Sequence, residues 1–143
     1  MKKIIALALA AKPKLIIADE PTTALDVSVQ AQIIDLLKEL AREYHSGIML
    51  ITHDMGVIAE TADRVAVMYS GRIVEIGPVA EVLHNPKHPY TKGLMAAIPD
   101  MRESGGFLHQ IEGSMPSLAN IPSGCAFHNR CSFKVPQCSQ CRP

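Results

Sequence analysis

Apolar residues fall into two patterns along this chain. Leu15–Ala18 and Ile48–Ile51 are short runs with no polar position, the pattern of a strand covered on both faces. Between them, Val29, Ile33, Leu36, Leu37 and Leu40 recur at helical spacing, which predicts a helix over Asp26–Tyr44. Asp26 is placed as its N-cap, and Gly47 lies just beyond its end. Met1–Ala11 reads as the tail of an Ala/Leu-rich helix stopped by Pro13. A short helix is expected over Met55–Thr61. Arg64–Tyr69 and Arg72–Ile76 then form a hairpin around Ser70–Gly71. Pro78 starts a short helix over Val79–Leu83, and another is expected over Thr91–Ala97, after His88–Pro89.

Buried strands alternating with helices at this spacing predict an α/β fold with a parallel sheet. After residue 97 the pattern fades. Ile98–Gly124 is rich in Pro, Gly, Ser and Asn and reads as a linker or extended tail. A cysteine segment follows. We therefore expect two regions, 1–97 and 98–143.

Composition narrows the function classes. The 143 residues carry 14 basic and 14 acidic side chains, so no electrostatic footprint for nucleic acid is visible. The longest apolar run, Ile4–Ala11, has eight residues, against about 20 for a spanning helix. No transmembrane segment and no signal-peptide cleavage region are expected, which points to the cytoplasm. The four cysteines, Cys125, Cys131, Cys138 and Cys141, all lie in the tail. In a reducing compartment they suggest metal ligands or free thiols before disulfides.

The candidate chemistry lies where the apolar runs stop. Asp19 and Glu20 follow the first strand directly, and Thr52 and His53 follow the second. Ligands of α/β sheets sit at the carboxyl ends of strands. Two acids and an imidazole at neighbouring ends suit phosphoryl transfer: one carboxylate to hold magnesium, the other to polarise a water, and the histidine to sense the terminal phosphate. The competing reading is that the acids only cap the turn that Pro21 imposes.

The full strings are more specific. "LIIADEPTTALD" resembles the Walker B and D-loop region of an ABC transporter ATPase, and "ITHD" its switch-histidine loop. "ADRVAVMYSGRIVEIGP" is similar to the hairpin that follows, and "NPKHPYTKGLMAAIP" with "GCAFHNRC" resembles the ATP-binding subunits of dipeptide and oligopeptide importers. The resemblance implies Asp19 in the magnesium shell, Glu20 as general base, His53 as γ-phosphate sensor and Asp26 as the D-loop aspartate, with Pro21 to Leu25 shaping the loop. It implies ATP and magnesium as cofactors of the complete protein. It also implies a second ATPase subunit and membrane permeases as partners, and a peripheral place on the cytoplasmic face of the membrane.

Several family parts are missing from the sequence. No GxxxxGK[ST] string occurs, and the first glycine is Gly47, so nothing cradles phosphates. No LSGGQ-type motif precedes the Walker B string; "ESGGFLHQ" lies on the wrong side of it and reads as linker. The resemblance further implies that the phosphate-loop strand separates the two strands found here; without it each would have an unpaired edge, so either the two close up in a non-native register or the chain is poorly stable alone. The expected function is thus a fragment of the ATP-hydrolysing subunit of a di- or oligopeptide importer, inactive alone. The alternatives are a non-catalytic interaction or regulatory module and the remnant of an interrupted gene. Some relatives carry an iron–sulfur cluster in this tail, so Cys125, Cys131, Cys138 and Cys141 are candidate ligands for a [4Fe–4S] cluster or for zinc; no metal is the third option. His128 reads as a loop histidine.

Overall fold

The computed structural model describes residues 12–23, 25–98 and 110–142, together with Leu7 and Ala10. Most of the helix expected over Met1–Ala11 lies outside these residues, though Leu7 and Ala10 are helical. Ala24 and "ESGGFLHQ" up to His109 also lie outside them. The chain divides into two compact units, Met1–Thr61 and Ala62–Pro143.

In the first unit, the residues from Leu15 on form the strands β1 (Leu15–Asp19) and β2 (Gly47–Ile51) and the helices α1 (Val27–Tyr44) and α2 (Met55–Thr61). The strands pair with each other directly and in parallel, from Leu15 opposite Gly47 to Asp19 opposite Ile51. The strands thus close up on each other, one of the two outcomes expected without an intervening strand. Their backbone groups are satisfied by one another, and the ladder continues beyond both ends. Gly47 N–H donates to the Lys14 carbonyl at 2.8 Å, and Glu20 N–H donates to the Ile51 carbonyl at 2.8 Å. The Ser46 hydroxyl, on the Pro13 carbonyl, pins the amino end.

Successive strand side chains point to opposite faces, and here the two faces differ. Ile16 is 9% exposed and belongs to a core with Ile33, Ile34 and Leu37 of α1 and Val57 and Ile58 of α2. Ile17, one residue on, is 62% exposed, and Leu15, Met49 and Ile51 share its open face. The runs expected to be covered on both sides are covered on one.

Helix α1 begins where expected. Asp26 is at the N-cap position, and its carbonyl accepts from Gln30 N–H at 2.8 Å, but its side chain makes no capping bond. It also ends at Tyr44, as expected. The left-handed C-cap is His45 (φ 51°), Ser46 N–H donates to the Ala41 carbonyl at 2.9 Å, and Gly47 is the first residue of β2.

The second unit starts with the hairpin β3 (Arg64–Tyr69) and β4 (Arg72–Pro78), paired antiparallel with a bulge at Val67/Met68. Its turn residues have positive φ, Ser70 at 47° and Gly71 at 75°, the turn that matches strand twist in a two-residue hairpin. Helices α3 (Val79–His84) and α4 (Pro89–Ala96) follow. The tail returns to the hairpin. Tyr69, Ala126 and Phe127 form a core on which Val74, Tyr90, Ile111, Ile121, Cys125 and Cys131 pack. Tyr69 meets Tyr90 and Phe127 edge-on, at 4.7 and 5.2 Å between ring centres. Arg130 clamps the return, donating to the Glu112 and Ile111 carbonyls and to the Tyr69 hydroxyl. Gly124 (φ 68°) lies so close to the Cys138 carbonyl that a side chain would collide with it, which lets Cys125 N–H reach that carbonyl at 2.8 Å. The other hairpin face, with Met68, Ile73 and Ile76, is exposed.

Candidate functional site

The parallel ladder brings the two sequence-predicted groups together. Because β1 and β2 run side by side in the same direction, the residues just past Asp19 and Ile51 emerge at one end of the sheet. The His53 Nδ1 lies 3.0 Å from Glu20 Oε1, and the Thr23 hydroxyl donates to Glu20 Oε2 at 2.8 Å. Each carboxylate oxygen of Glu20 thus has its own partner. Glu20 has a left-handed backbone (φ 43°), a conformation that costs a non-glycine residue on the order of 1 kcal/mol. The strained turn aims its side chain across to His53. The hydrogen bond from Thr23, then that from His53, holds the Glu20 carboxyl below its usual range and so ionised at neutral pH.

The His53 ring is 82% exposed, and the support is in the residue after it. The Asp54 carboxylate accepts from Gly56 N–H at 2.9 Å and Val57 N–H at 3.2 Å, capping α2, and its other oxygen accepts from Gln30 Nε2 of α1 at 3.0 Å. The Gln30 bond first, then the Val57 amide, keeps the Asp54 pKa below normal. Asp54 N–H donates to the Thr52 hydroxyl at 3.1 Å. The turn carrying His53 is therefore tied to α1 and α2. Gln30 and Asp54 are not among the sequence candidates, and Thr23 is there only as one of the residues shaping the loop. Asp54 could have been found from its place one residue before a helix, the N-cap signal; the Gln30 partnership spans 24 positions and leaves no local trace.

Asp19 is exposed, on the same face as Leu15 and Ile17. Among the described residues no hydrogen bond or ion pair to its carboxylate is found. Asp26 is exposed at the start of α1 and joins neither Glu20 nor His53.

The cysteines do not support the cluster suggested above. No group of three or more His, Cys, Asp or Glu that could hold a metal occurs among the described residues, which include all four thiols. Cys125 and Cys131 pack against the Tyr69–Phe127 core. His128 Nδ1 is 2.7 Å from the Cys125 carbonyl, within its own turn.

A second polar cluster holds α4 to the hairpin. Glu75 of β4 accepts from the backbone amides of Lys87 and His88 at 2.7 and 3.0 Å. Burial works to raise the Glu75 pKa, but the Thr91 hydroxyl beside it and those two amides outweigh burial and lower it. The Thr91 hydroxyl, fully buried, lies close to the carboxylate without reaching hydrogen-bond geometry. His88 caps α4 by accepting from Tyr90 N–H at 3.1 Å. Burial lowers the His88 pKa, more than the Glu75 charge raises it. This cluster is architectural, built from groups that serve each other.

The fold has a counterpart among the proteins of ABC transporters. The solved structure of cbiO1 from Clostridium perfringens, part of the ABC transporter complex cbiONQ, matches with a TM-score of 0.53 at 37% identity, over 57% of this chain and 32% of that one. Residues 74–138 match the family described as oligopeptide/dipeptide transporter, C-terminal region. A putative peptide import ATP-binding protein of Brucella ovis is 54% identical over 97% of this chain. The oligopeptide transport ATP-binding protein OppD of Bacillus subtilis is 56% identical over 92% of it, and the dipeptide transport ATP-binding protein DppD of that organism 48% over 98%. The chain belongs to the family of oligopeptide and dipeptide transporter ATP-binding proteins. It spans less than half the length of these relatives, 43%, 37% and 42% respectively.

Proposed function

We propose that this chain carries the water-activating part of the ATP-hydrolysing site in an importer subunit for di- or oligopeptides. The observation that carries the reading is the 3.0 Å contact between Glu20 and His53 at the carboxyl ends of adjacent parallel strands. Glu20, held ionised, accepts a proton from the attacking water as general base. Thr23 and His53 fix its two oxygens, so its orientation is set before substrate arrives. His53, exposed beside it, contacts the terminal phosphate. Gln30 and Asp54 hold the turn that places His53.

Magnesium fits the donor set. Asp19 offers an exposed carboxylate, and the described residues contain no all-protein cage; magnesium usually takes one or two carboxylates and draws its other ligands from phosphate and water. When bound it supplies charge neutralisation on the phosphates. Asp26 faces a second ATPase subunit in this reading. Membrane permeases are the further partners, on the cytoplasmic side of the membrane. Among the described residues no helix is long and apolar enough to cross a membrane.

With no GxxxxGK[ST] string, this chain alone neither holds ATP tightly nor turns it over. The test is a chimera in which it replaces the matching stretch of the Bacillus subtilis OppD relative. That protein should hydrolyse ATP. Glu20→Gln should lower kcat about 100-fold or more with nucleotide binding retained. Full turnover by the Glu20→Gln chimera, or saturable ATP binding by the chain alone, would refute the reading. A second reading, a non-catalytic interaction module, is favoured by the same missing string. It predicts association with an intact partner ATPase and no rise in turnover.

A further inference from the structure

The second unit holds a cavity of about 400 Å³ between α4 and the returning tail. Pro89, Gly93, Ile111 and Phe127 line it together with two charged residues, Glu112 and Arg130. Gly93 lets the tail approach α4 closely, since a Cβ there would stand 2.8 Å from the Ile111 side chain. Arg130 is half-buried, and a buried charge is costly unless it is paired. Yet the groups that hold its guanidinium among the described residues are all neutral. The Glu112 and Ile111 carbonyls accept from Nε and Nη2 at 2.8 and 2.9 Å, and the Tyr69 hydroxyl accepts from Nη1 at 3.3 Å. The Phe127 ring lies 6.0 Å from the guanidinium carbon. Among the described residues no carboxylate is within ion-pair distance of Arg130, its wall neighbour Glu112 included. A guanidinium has five N–H groups. Three are used, which leaves one on each terminal nitrogen, and two such donors suit a carboxylate.

We propose that this cavity binds a small zwitterion with an apolar body, its carboxylate on Arg130 and its ammonium on Glu112. An apolar amino acid and a short apolar peptide share that chemistry. Ligand pockets are typically about 300–1,000 Å³, mostly apolar, with a few polar groups that fix orientation, and this cavity has that composition. Pro89, Ile111 and Phe127 take the apolar body. The two unused N–H groups of Arg130 take the carboxylate, and its guanidinium is already fixed by three acceptors, so little side-chain freedom is lost on binding. Glu112 sets the selectivity. A phosphate or a dicarboxylate would bring a second negative charge to its carboxylate, a like-charge contact that disfavours such ligands. Neither Glu20 nor His53 takes part, so the proposal stands whether or not Glu20 activates water.

The test titrates the full 143-residue chain with leucine and with leucyl-leucine, followed by NMR. Saturable shifts at Gly93, Ile111 and Arg130 are expected, and the tighter ligand tells amino acid from peptide. The matching amides, which lack the carboxylate, and the N-acetylated compounds, which lack the ammonium, should each bind about tenfold more weakly or worse. Glu112→Gln should erase the preference for the free ammonium. Arg130→Lys keeps the charge without the fork and should weaken binding by about tenfold. Because Arg130 also clamps the tail, a second variant leaves it in place. Ser132→Trp, at an exposed position on the cavity wall, should block binding with the Tyr69 and Phe127 ring signals unmoved. No saturable shift with either zwitterion, amides that bind as well as the free acids, or binding untouched by Ser132→Trp would each overturn the proposal.

Discussion

The two units handle their apolar residues in opposite ways. In the second, the chain comes back on itself: Tyr69 of the hairpin is 1% exposed because Phe127, far along the chain, covers it, and Arg130 ties the return to the Tyr69 hydroxyl. In the first, Ile16 is buried while Leu15, Ile17, Met49 and Ile51 on the other face stay exposed. Both sequences are apolar enough to be buried. The difference is whether the described residues include a covering layer. A strand pattern therefore reports how much cover a segment needs, and a structure shows how much of it a given chain supplies.

The largest expected effect is at the closed core. Tyr69→Ala should destabilise the second unit by about 3–5 kcal/mol, the usual cost of emptying a buried aromatic site. The helical signal of α1 should melt at an unchanged denaturant concentration. Coincident loss of both would show that the units do not fold separately.

The next test contrasts neighbours on β1. Ile16→Ala should cost about 2–4 kcal/mol, and Ile17→Ala within about 0.5 kcal/mol in the chain alone. Equal losses in chemical denaturation would mean that the open face is covered.

A smaller effect is expected from pH. His88 has its pKa lowered, first by burial, against the opposing charge of Glu75. The unfolded chain therefore binds more protons as pH falls through the ordinary histidine range near 6.5, and the stability of the second unit should fall in that window. His88→Gln should flatten this part of the curve. An unchanged slope would assign the titration to another group. For Glu75, also lowered, the stabilisation is present above the ordinary carboxylate range and is lost as pH falls through the lowered folded value.

The smallest is at the site. Thr23→Val should move the Glu20 pKa upward, measured by carboxyl NMR titration, because its principal stabilising hydrogen bond is removed. Global stability should change by under about 1 kcal/mol, since the pair is exposed. No shift on substitution would mean that Thr23 does not hold Glu20.

Much of the fold and half of the site are legible in the order of residues. The elements from Leu15 to Ile76 follow from local signals, and the acids and histidine stand out because charge follows directly on apolar runs. Other features are left open by local signals. Gly47 lies beside the helix end, and the sheet claims it while His45 takes the left-handed position. The two strands could close up or be left with open edges, and they are paired. Two of the four cysteines pack on the aromatic core. In each case a contact between residues distant in the chain decides the outcome.

The sequence by itself determined which segments become strands and helices, and which side chains stand at the strand ends, since periodicity and turn residues act over a few positions. Only the tertiary structure decided that Glu20 meets His53, that Gln30 reaches Asp54, and that Ile16 is covered while Ile17 is not. Those outcomes depend on which strand edges join and which helix lies on which face, and such choices are made between residues distant in the chain.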